Sequence, residues 1–138
     1  GKYAEALKDI NTELTAFSKK KVQLTLDKIK DFYNSQAYYT PTKPTPKKAL
    51  NPLFAIEKTT QEPLLQCLLQ LRRILTIHEG FRLQDVKRYG ITMYRRQVDV
   101  QSKVNALTDS MKVGDPRLAI QLPQDVISAG ITPNPRNK

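Results

Sequence analysis

The chain has 138 residues, a formal net charge of +10, nine prolines, one cysteine and one histidine. This length allows one domain of ordinary size with extended flanks, and a single cysteine excludes an internal disulfide framework. No apolar run approaches the ~20 residues that a membrane span needs, while the positive charge indicates an acidic partner, nucleic acid or an anionic membrane surface.

Residues 1–39 are expected to form an N-terminal amphipathic helix or helix pair. Residues 2–39 contain neither glycine nor proline, and apolar side chains recur at steps of three and four. A shift in that stripe leaves two interpretations, which are one long helix or two helices with a break near residues 18–21. The three lysines at 19–21 lie either on a solvated face or at the break itself.

Residues 40–58 form a predicted linker that is rich in proline, threonine and lysine. Proline removes amide donors and restricts the preceding residue, so no helix is expected here. Thr40 and Thr45 each begin a Thr-Pro-x-Lys sequence and are candidate phosphorylation sites for proline-directed kinases. A stiff solvated spacer is the alternative interpretation. Four apolar residues further along could pack as a short turn against the core: Leu50, Leu53, Phe54 and Ile56.

Residues 59–113 form the predicted helical interaction domain. Thr59 and Glu62 fit a capping box, and the leucine-rich helix that follows should run to about Ile74. A second capping-box sequence at residues 76–79 predicts a short helix, which Gly90 would end with a positive φ.

The segment from Met93 to Met111 carries apolar positions at alternating steps of four and three residues, which predicts another amphipathic helix. Residues 114–116 would stop it, and residues 114–138 are predicted to be an irregular C-terminal tail. Alternating Leu118, Ile120 and Leu122 leave open a short docked strand within that tail. The fold class expected from these segments is all-α, a small bundle of four or five helices.

Catalytic and metal sites have little support in this sequence. Cys67 and His78 could form a nucleophile and base only within hydrogen-bond reach, but they are separated by a helix end and Cys67 lies in a leucine-rich helix. One cysteine and one histidine do not supply the usual zinc ligands, and no phosphate-binding glycine motif occurs. We therefore predict a non-enzymatic protein with no catalytic residues, no metal, no cofactor and no small-molecule substrate.

A basic cluster interleaved with tyrosines is the better candidate for a binding site. Arginine pairs bidentately with phosphate or carboxylate, and tyrosine rings can stack on bases. The alternative is a solvated surface on which arginine stems cover apolar core. Acidic peptide and nucleic acid both remain open as ligands. The cluster comprises Arg72, Arg73, Arg82, Lys87, Arg88, Arg95 and Arg96, with Tyr89 and Tyr94.

Residues 64–112, about a third of the chain, resemble the N-terminal domain of transcription elongation factor TFIIS and the related integrase-binding domain of LEDGF. The family has a leucine-rich helix, a threonine-containing turn, a helix closing on a glycine junction and an amphipathic last helix. The segments that carry the resemblance here are residues 68–71, 75–77, 87–90 and 100–111.

This resemblance implies a nuclear, intracellular scaffold of transcription that binds short motifs of disordered partners, each with a hydrophobic anchor flanked by acidic residues. The positions implied are Ile77 and Phe81 at one loop, with Arg95 and Arg96 nearby. An apolar notch rimmed by arginines suits such a peptide. The alternative function is that of a basic helical domain that binds nucleic acid.

Overall fold

The computed structural model describes residues 2–19 and 22–136. Helices make up 42% of the described residues and a two-stranded antiparallel hairpin makes up 11%, so the fold is mostly helical but not all-α. The elements in chain order are α1 (Tyr3–Phe17), α2 (Leu26–Ser35), α3 (Gln61–Leu75), α4 (Arg82–Tyr89), β1 (Met93–Val98), β2 (Val104–Met111), a 3₁₀ turn (Pro116–Leu118) and α5 (Gln124–Ser128).

The N-terminal segment forms two helices, the second of the two interpretations left open by the sequence, and α1 ends at Phe17. Asn11 holds the chain that returns from this break. Its side-chain amide donates to the Leu24 carbonyl at 2.9 Å and its oxygen accepts from the Leu24 amide at 2.8 Å. The Thr25 hydroxyl then accepts from the Lys28 amide and caps α2. The alternative positions given for the three lysines are not distinguished, because residues 20 and 21 lie outside the described residues.

A first hydrophobic cluster, the helical core, lies between α1, α2 and one side of α3. The half-buried Leu7 and Leu14 of α1 pack against it, as the predicted stripe requires. Burial raises the pKa of the Tyr33 hydroxyl to about 12 and also raises the pKa of the Cys67 thiol. The buried members are Ile10, Ile29, Tyr33, Leu64 and Cys67.

The start of α3 differs from the predicted capping box. Thr60 is the N-cap residue and makes no side-chain cap bond, whereas the Glu57 carboxylate accepts from the amides of Thr60 at 2.7 Å and Gln61 at 3.0 Å. Glu62 is buried and binds the Tyr38 hydroxyl at 2.7 Å and the Lys58 ammonium at 3.0 Å. The capping-box prediction is therefore wrong, although the helix does end one residue after Ile74.

The proline-rich segment contains no helix, as predicted, but it is a folded loop packed on α3 rather than a solvated spacer. The Tyr39 amide donates to the Lys47 carbonyl at 2.7 Å, and the Thr45 hydroxyl donates to the Ala37 carbonyl at 2.8 Å. The buried Gln66 side chain donates to the Lys48 carbonyl and accepts from the Lys48 amide at 3.0 Å. These bonds fix the loop before its chain reaches α3.

A second hydrophobic cluster, the mixed core, lies on the other side of α3 and draws its residues from loops as well as helices. Ile56 packs on it, as expected for the short apolar turn, whereas Leu53 is fully exposed and Phe54 is about half exposed. The buried members are Leu50, Leu69, Val86, Ile91 and Leu118.

Helix α4 begins at Arg82, later than the second capping box predicts, because the Thr76 hydroxyl donates back to the Arg72 carbonyl at 2.8 Å. Gly90 ends α4 with φ +61°, as predicted. Asn51 lies so close that a Cβ on Gly90 would be 2.1 Å from the Asn51 carbonyl oxygen. Glycine is therefore required here by space as well as by conformation.

The segment from Met93 to Met111 is an antiparallel hairpin, so the predicted amphipathic helix is wrong. Arg95 pairs with Asp109 and Val98 with Val104, and two register shifts interrupt the ladder. The turn is closed by the Asp99 carboxylate, which accepts from two amides across the loop. This local bond and the valines beside it favour a hairpin over a helix.

The C-terminal tail is more ordered than predicted. Arg117 donates to the carboxylates of Asp109 and Asp115, and Leu118 is buried in the mixed core. Ile120 is exposed, and of the alternating residues only Leu118 lies in a regular element, the 3₁₀ turn. Residues 116–136 contain no strand. Across the part of the chain that the structure describes, no helix has the length and apolar character needed to cross a membrane.

Candidate functional site

Four basic side chains from four different segments converge beside the mixed core. Lys48 comes from the proline-rich loop, Arg73 from α3, Arg82 from α4 and Arg96 from β1. Burial, and after it the positive charges of the three arginines, lowers the pKa of Lys48 to about 8. These four residues are named the cationic cluster. Such a gathering of like charges is unfavourable in the absence of an anion.

The neighbourhood of Arg82 shows how little negative charge balances this cluster. The pKa of Arg82 is lowered by burial and by Arg73, and the Asp85 carboxylate only partly opposes that effect. Asp85 is itself buried and forms an ion pair with Arg72, with 3.1 Å between the Nε and Oδ1 atoms. Its charge is therefore shared with an arginine that is not a member of the cluster.

An aromatic pair adjoins the cations. The Lys48 ammonium lies 3.2 Å from the centroid of the Tyr39 ring, and the Arg96 guanidinium carbon lies 5.8 Å from the same centroid. The Tyr94 ring is stacked on Tyr39, with 6.1 Å between centroids and 27° between planes. Cation–π contacts of this kind hold a positive charge close to an apolar surface without neutralising it.

The loop carries two consecutive lysines, and only the second, Lys48, faces the arginines. The Lys47 side chain is buried, with its ammonium 4.6 Å from the Tyr38 ring centroid, whereas Lys48 faces Tyr39. Consecutive residues of an extended segment point to opposite sides. The two Tyr–Lys pairs therefore lie on opposite sides of the loop, and the pair of Tyr39 and Lys48 faces the arginines.

The structure divides the predicted basic cluster into separate groups. Arg73, Arg82 and Arg96 meet in the cationic cluster beside Tyr94. Arg88 instead lies over the Tyr89 ring, 5.9 Å from its centroid, and Tyr89 also packs edge-on against Phe54. Arg72 binds Asp85, and Lys87 is exposed on α4.

The predicted peptide-binding residues have different neighbours from one another. Ile77 is exposed after α3, and Phe81 is partly exposed with the Arg72 guanidinium carbon 5.4 Å from its ring centroid. Arg95 pairs across the hairpin with Asp109, while Arg96 faces Tyr39. Neighbouring residues of a strand point to opposite faces, so these two arginines do not form one patch. The notch itself remains a prediction.

Two members of the site, Lys48 and Tyr39, were missed by reasoning from the sequence, because Lys48 lay in the predicted linker and Tyr39 at the end of the predicted N-terminal helical segment. The available signal was the Tyr-Tyr and Lys-Lys doublets at residues 38–39 and 47–48, on either side of the prolines. Thr40 is exposed in a tight turn beside this site, and the Thr45 hydroxyl is bound to the loop backbone. Phosphorylation of either threonine remains a prediction.

The residues considered for chemistry lie apart from the cationic cluster. Cys67 is buried in the helical core, and His78 is exposed in the turn after α3. Within residues 2–19 and 22–136, no group of three or more histidine, cysteine or acidic residues could hold a metal ion.

Comparison with known proteins assigns no family to this arrangement. No protein-family model, no curated protein and no solved structure gives a significant match to the chain. The resemblance to the TFIIS and LEDGF domains therefore remains an expectation, and the function has to be argued from the cationic cluster itself.

Proposed function

We propose that this chain is a non-enzymatic nucleic-acid-binding module whose cationic cluster holds backbone phosphates. The observation that carries this proposal is geometric: Lys48, Arg73 and Arg82 line one small cavity, and the Lys48 and Arg96 side chains both contact the Tyr39 ring. An array of phosphates relieves the repulsion among these cations and releases counterions from the nucleic acid. Arginine also suits phosphate geometry, because its planar group donates two parallel hydrogen bonds.

The neighbouring tyrosines favour nucleic acid over an acidic peptide. Tyr39 and Tyr94 form a stacked pair in direct contact with two of the cations. Aromatic rings beside a basic surface are typical of nucleic-acid sites, since every base has a face that can stack. A carboxylate-rich peptide would use the cations but not the rings.

The test is a salt titration of binding, with fluorescence anisotropy of labelled oligonucleotides as the measurement. The triple variant Lys48→Gln, Arg73→Gln, Arg82→Gln should bind more weakly, and its slope of log affinity against log salt should be smaller by about 3 for duplex DNA. A matched double variant, Lys87→Gln with Arg88→Gln, removes exposed cations of α4 outside the cluster and should change the slope less. Equal slopes for parent and triple variant would contradict the proposal.

A second candidate function is the docking of short acidic-hydrophobic motifs from disordered partners, as in a nuclear transcription scaffold. The observation that favours it is the partly exposed Phe81 ring beside Arg72, with exposed Ile77 close in sequence. Phe81→Ala should then shorten the residence of an acidic-aromatic peptide, because most affinity differences lie in dissociation. Arg95→Glu with Arg96→Glu should reduce the salt dependence of its association. Unchanged binding in both variants would show that this surface is not the docking site for such peptides.

A further inference from the structure

The hairpin formed by β1 and β2 is anchored at one end and exposed at the other. Met93 and Met111, its first pair, pack against the mixed core. Residues 95–98 and 105–108 are all exposed, and Val100 in the turn is 95% exposed. The distal part of the hairpin therefore stabilises little of the fold, and its surface needs another explanation.

The acidic residues of this hairpin are engaged in holding its shape. The Asp99 carboxylate accepts from the amides of Gln101 at 2.9 Å and Lys103 at 2.8 Å, which closes the turn. The Asp109 carboxylate binds Arg117 at the other end. The remaining exposed polar side chains are basic or uncharged: Arg95, Arg96, Gln97, Gln101, Ser102, Lys103, Asn105 and Thr108.

These side chains are of the types that distinguish base pairs in the major groove. Arginine and lysine donate to guanine, and asparagine and glutamine form two hydrogen bonds with adenine. The register shift between Gln97 and Val98 leaves Asn105 without a cross-strand partner. Bulges of this kind bend a strand and redirect its side chains.

The position of the hairpin connects it with the cationic cluster. Arg96 belongs to β1 and also lies against Tyr39 beside Lys48, so the cluster adjoins the exposed part of the ribbon. A B-DNA major groove, about 12 Å wide and about 8.5 Å deep, admits a two-stranded ribbon. A phosphate held at the cluster would thus lie at the edge of a groove occupied by the hairpin.

We propose that the β1–β2 hairpin enters the major groove of double-stranded DNA and reads base edges, while the cationic cluster holds the adjoining phosphate backbone. This inference rests on the proposed nucleic-acid binding and names duplex DNA as its substrate class. It separates two roles, because phosphate contacts position a protein on the duplex whereas base contacts specify the sequence.

The experiment selects a preferred sequence from a pool of random duplexes with the full chain, then compares variants on the selected and an unrelated duplex. Gln97→Ala with Asn105→Ala should lower the preference for the selected duplex by about tenfold or more, at an unchanged salt slope. The Lys87→Gln, Arg88→Gln variant is the matched control and should keep the preference. A double variant with full preference, or a parent chain that binds single strands as well as duplex, would overturn the inference.

A second measurement leaves the protein unchanged. Replacing the guanines and adenines of the selected duplex by their 7-deaza analogues removes an acceptor from the major groove and should weaken binding. Undiminished binding would overturn the hairpin inference. Salt-dependent binding without any sequence preference would overturn it too, while supporting the proposed function. Binding to no nucleic acid at all would overturn the proposed function itself.

Discussion

The helical core and the mixed core share α3 but are built in different ways. The helical core joins three helices whose apolar residues recur with a helical period, with Leu64 and Cys67 on the α3 side. The mixed core surrounds Leu69 with single residues from loops, α4 and the C-terminal tail. The candidate site lies beside the mixed core. The cationic cluster is therefore next to the core whose residues are hardest to predict from local sequence patterns.

The largest expected effect concerns the close contact between two backbone segments, at Gly90 and Asn51, beside the mixed core. Gly90→Ala should lower the free energy of unfolding by about 4 kcal/mol, since its Cβ would meet the Asn51 carbonyl in a backbone region unfavourable to alanine. Gly114→Ala is the matched control. Gly114 has φ +79° with no atom within 4 Å of an added Cβ, so a loss of about 1–2 kcal/mol is expected. Urea denaturation measures both, and equal losses would contradict the close approach.

The next prediction tests whether the two cores unfold together. Leu64→Ala and Leu69→Ala remove buried leucines from the two sides of α3. Each should lower the free energy of unfolding by about 3 kcal/mol. Because both cores depend on this helix, each variant should shift one common transition seen by circular dichroism and tyrosine fluorescence. Two separate transitions, with each variant shifting one of them, would show that the cores are independent folding units.

A smaller effect is expected for the pH dependence of binding beside the mixed core. The pKa of Lys48 is lowered to about 8, so the free protein loses this charge as pH rises above that value. A bound phosphate would favour the charged form, and affinity should fall above pH 8 by at most about tenfold per pH unit, since one proton is taken up. Lys48→Arg should remove this dependence between pH 7 and 9. A parent and variant with parallel profiles would contradict the role of Lys48.

The smallest effect concerns the start of the shared helix. Backbone and side-chain hydrogen bonds, the largest from Thr59, lower the pKa of the Glu57 carboxyl from 4.5 to about 2. A carboxyl group whose pKa is lower in the folded than in the unfolded protein stabilises the fold when the pH is above the unfolded-state pKa. This contribution is lost as the pH falls from about 4.5 to about 2. In the Glu57→Gln variant, the melting temperature should depend less on pH between about 2 and about 4.5. A variant that melts in parallel with the parent would show that Glu57 does not cap α3.

Periodicity predicted the helices well because each signal is local. The stripe through Ile10 and Ile29 and the run of leucines in α3 determine which faces are buried. The same criterion failed at the hairpin, where six positions at steps of four and three included the polar Gln97. A turn closed by Asp99 outweighed that weak pattern.

The candidate site was predicted only in part because its members meet through contacts between distant segments. Arg73, Arg82 and Arg96 were recognised as basic residues of one region. Lys48 and Tyr39 were not, since a buried glutamine 18 positions from Lys48 in the chain determines where the loop lies. Hydrogen bonds of this kind leave no periodic signal.

The bonds between Gln66 and Lys48 have a consequence for the thermodynamics of recognition. A side-chain amide that both donates to and accepts from one residue acts as a substitute peptide group, and it orders the loop when the protein folds. A loop that is already ordered loses little conformational entropy when a ligand arrives. Gln66→Leu would therefore reduce affinity through entropy while every charged side chain remained present.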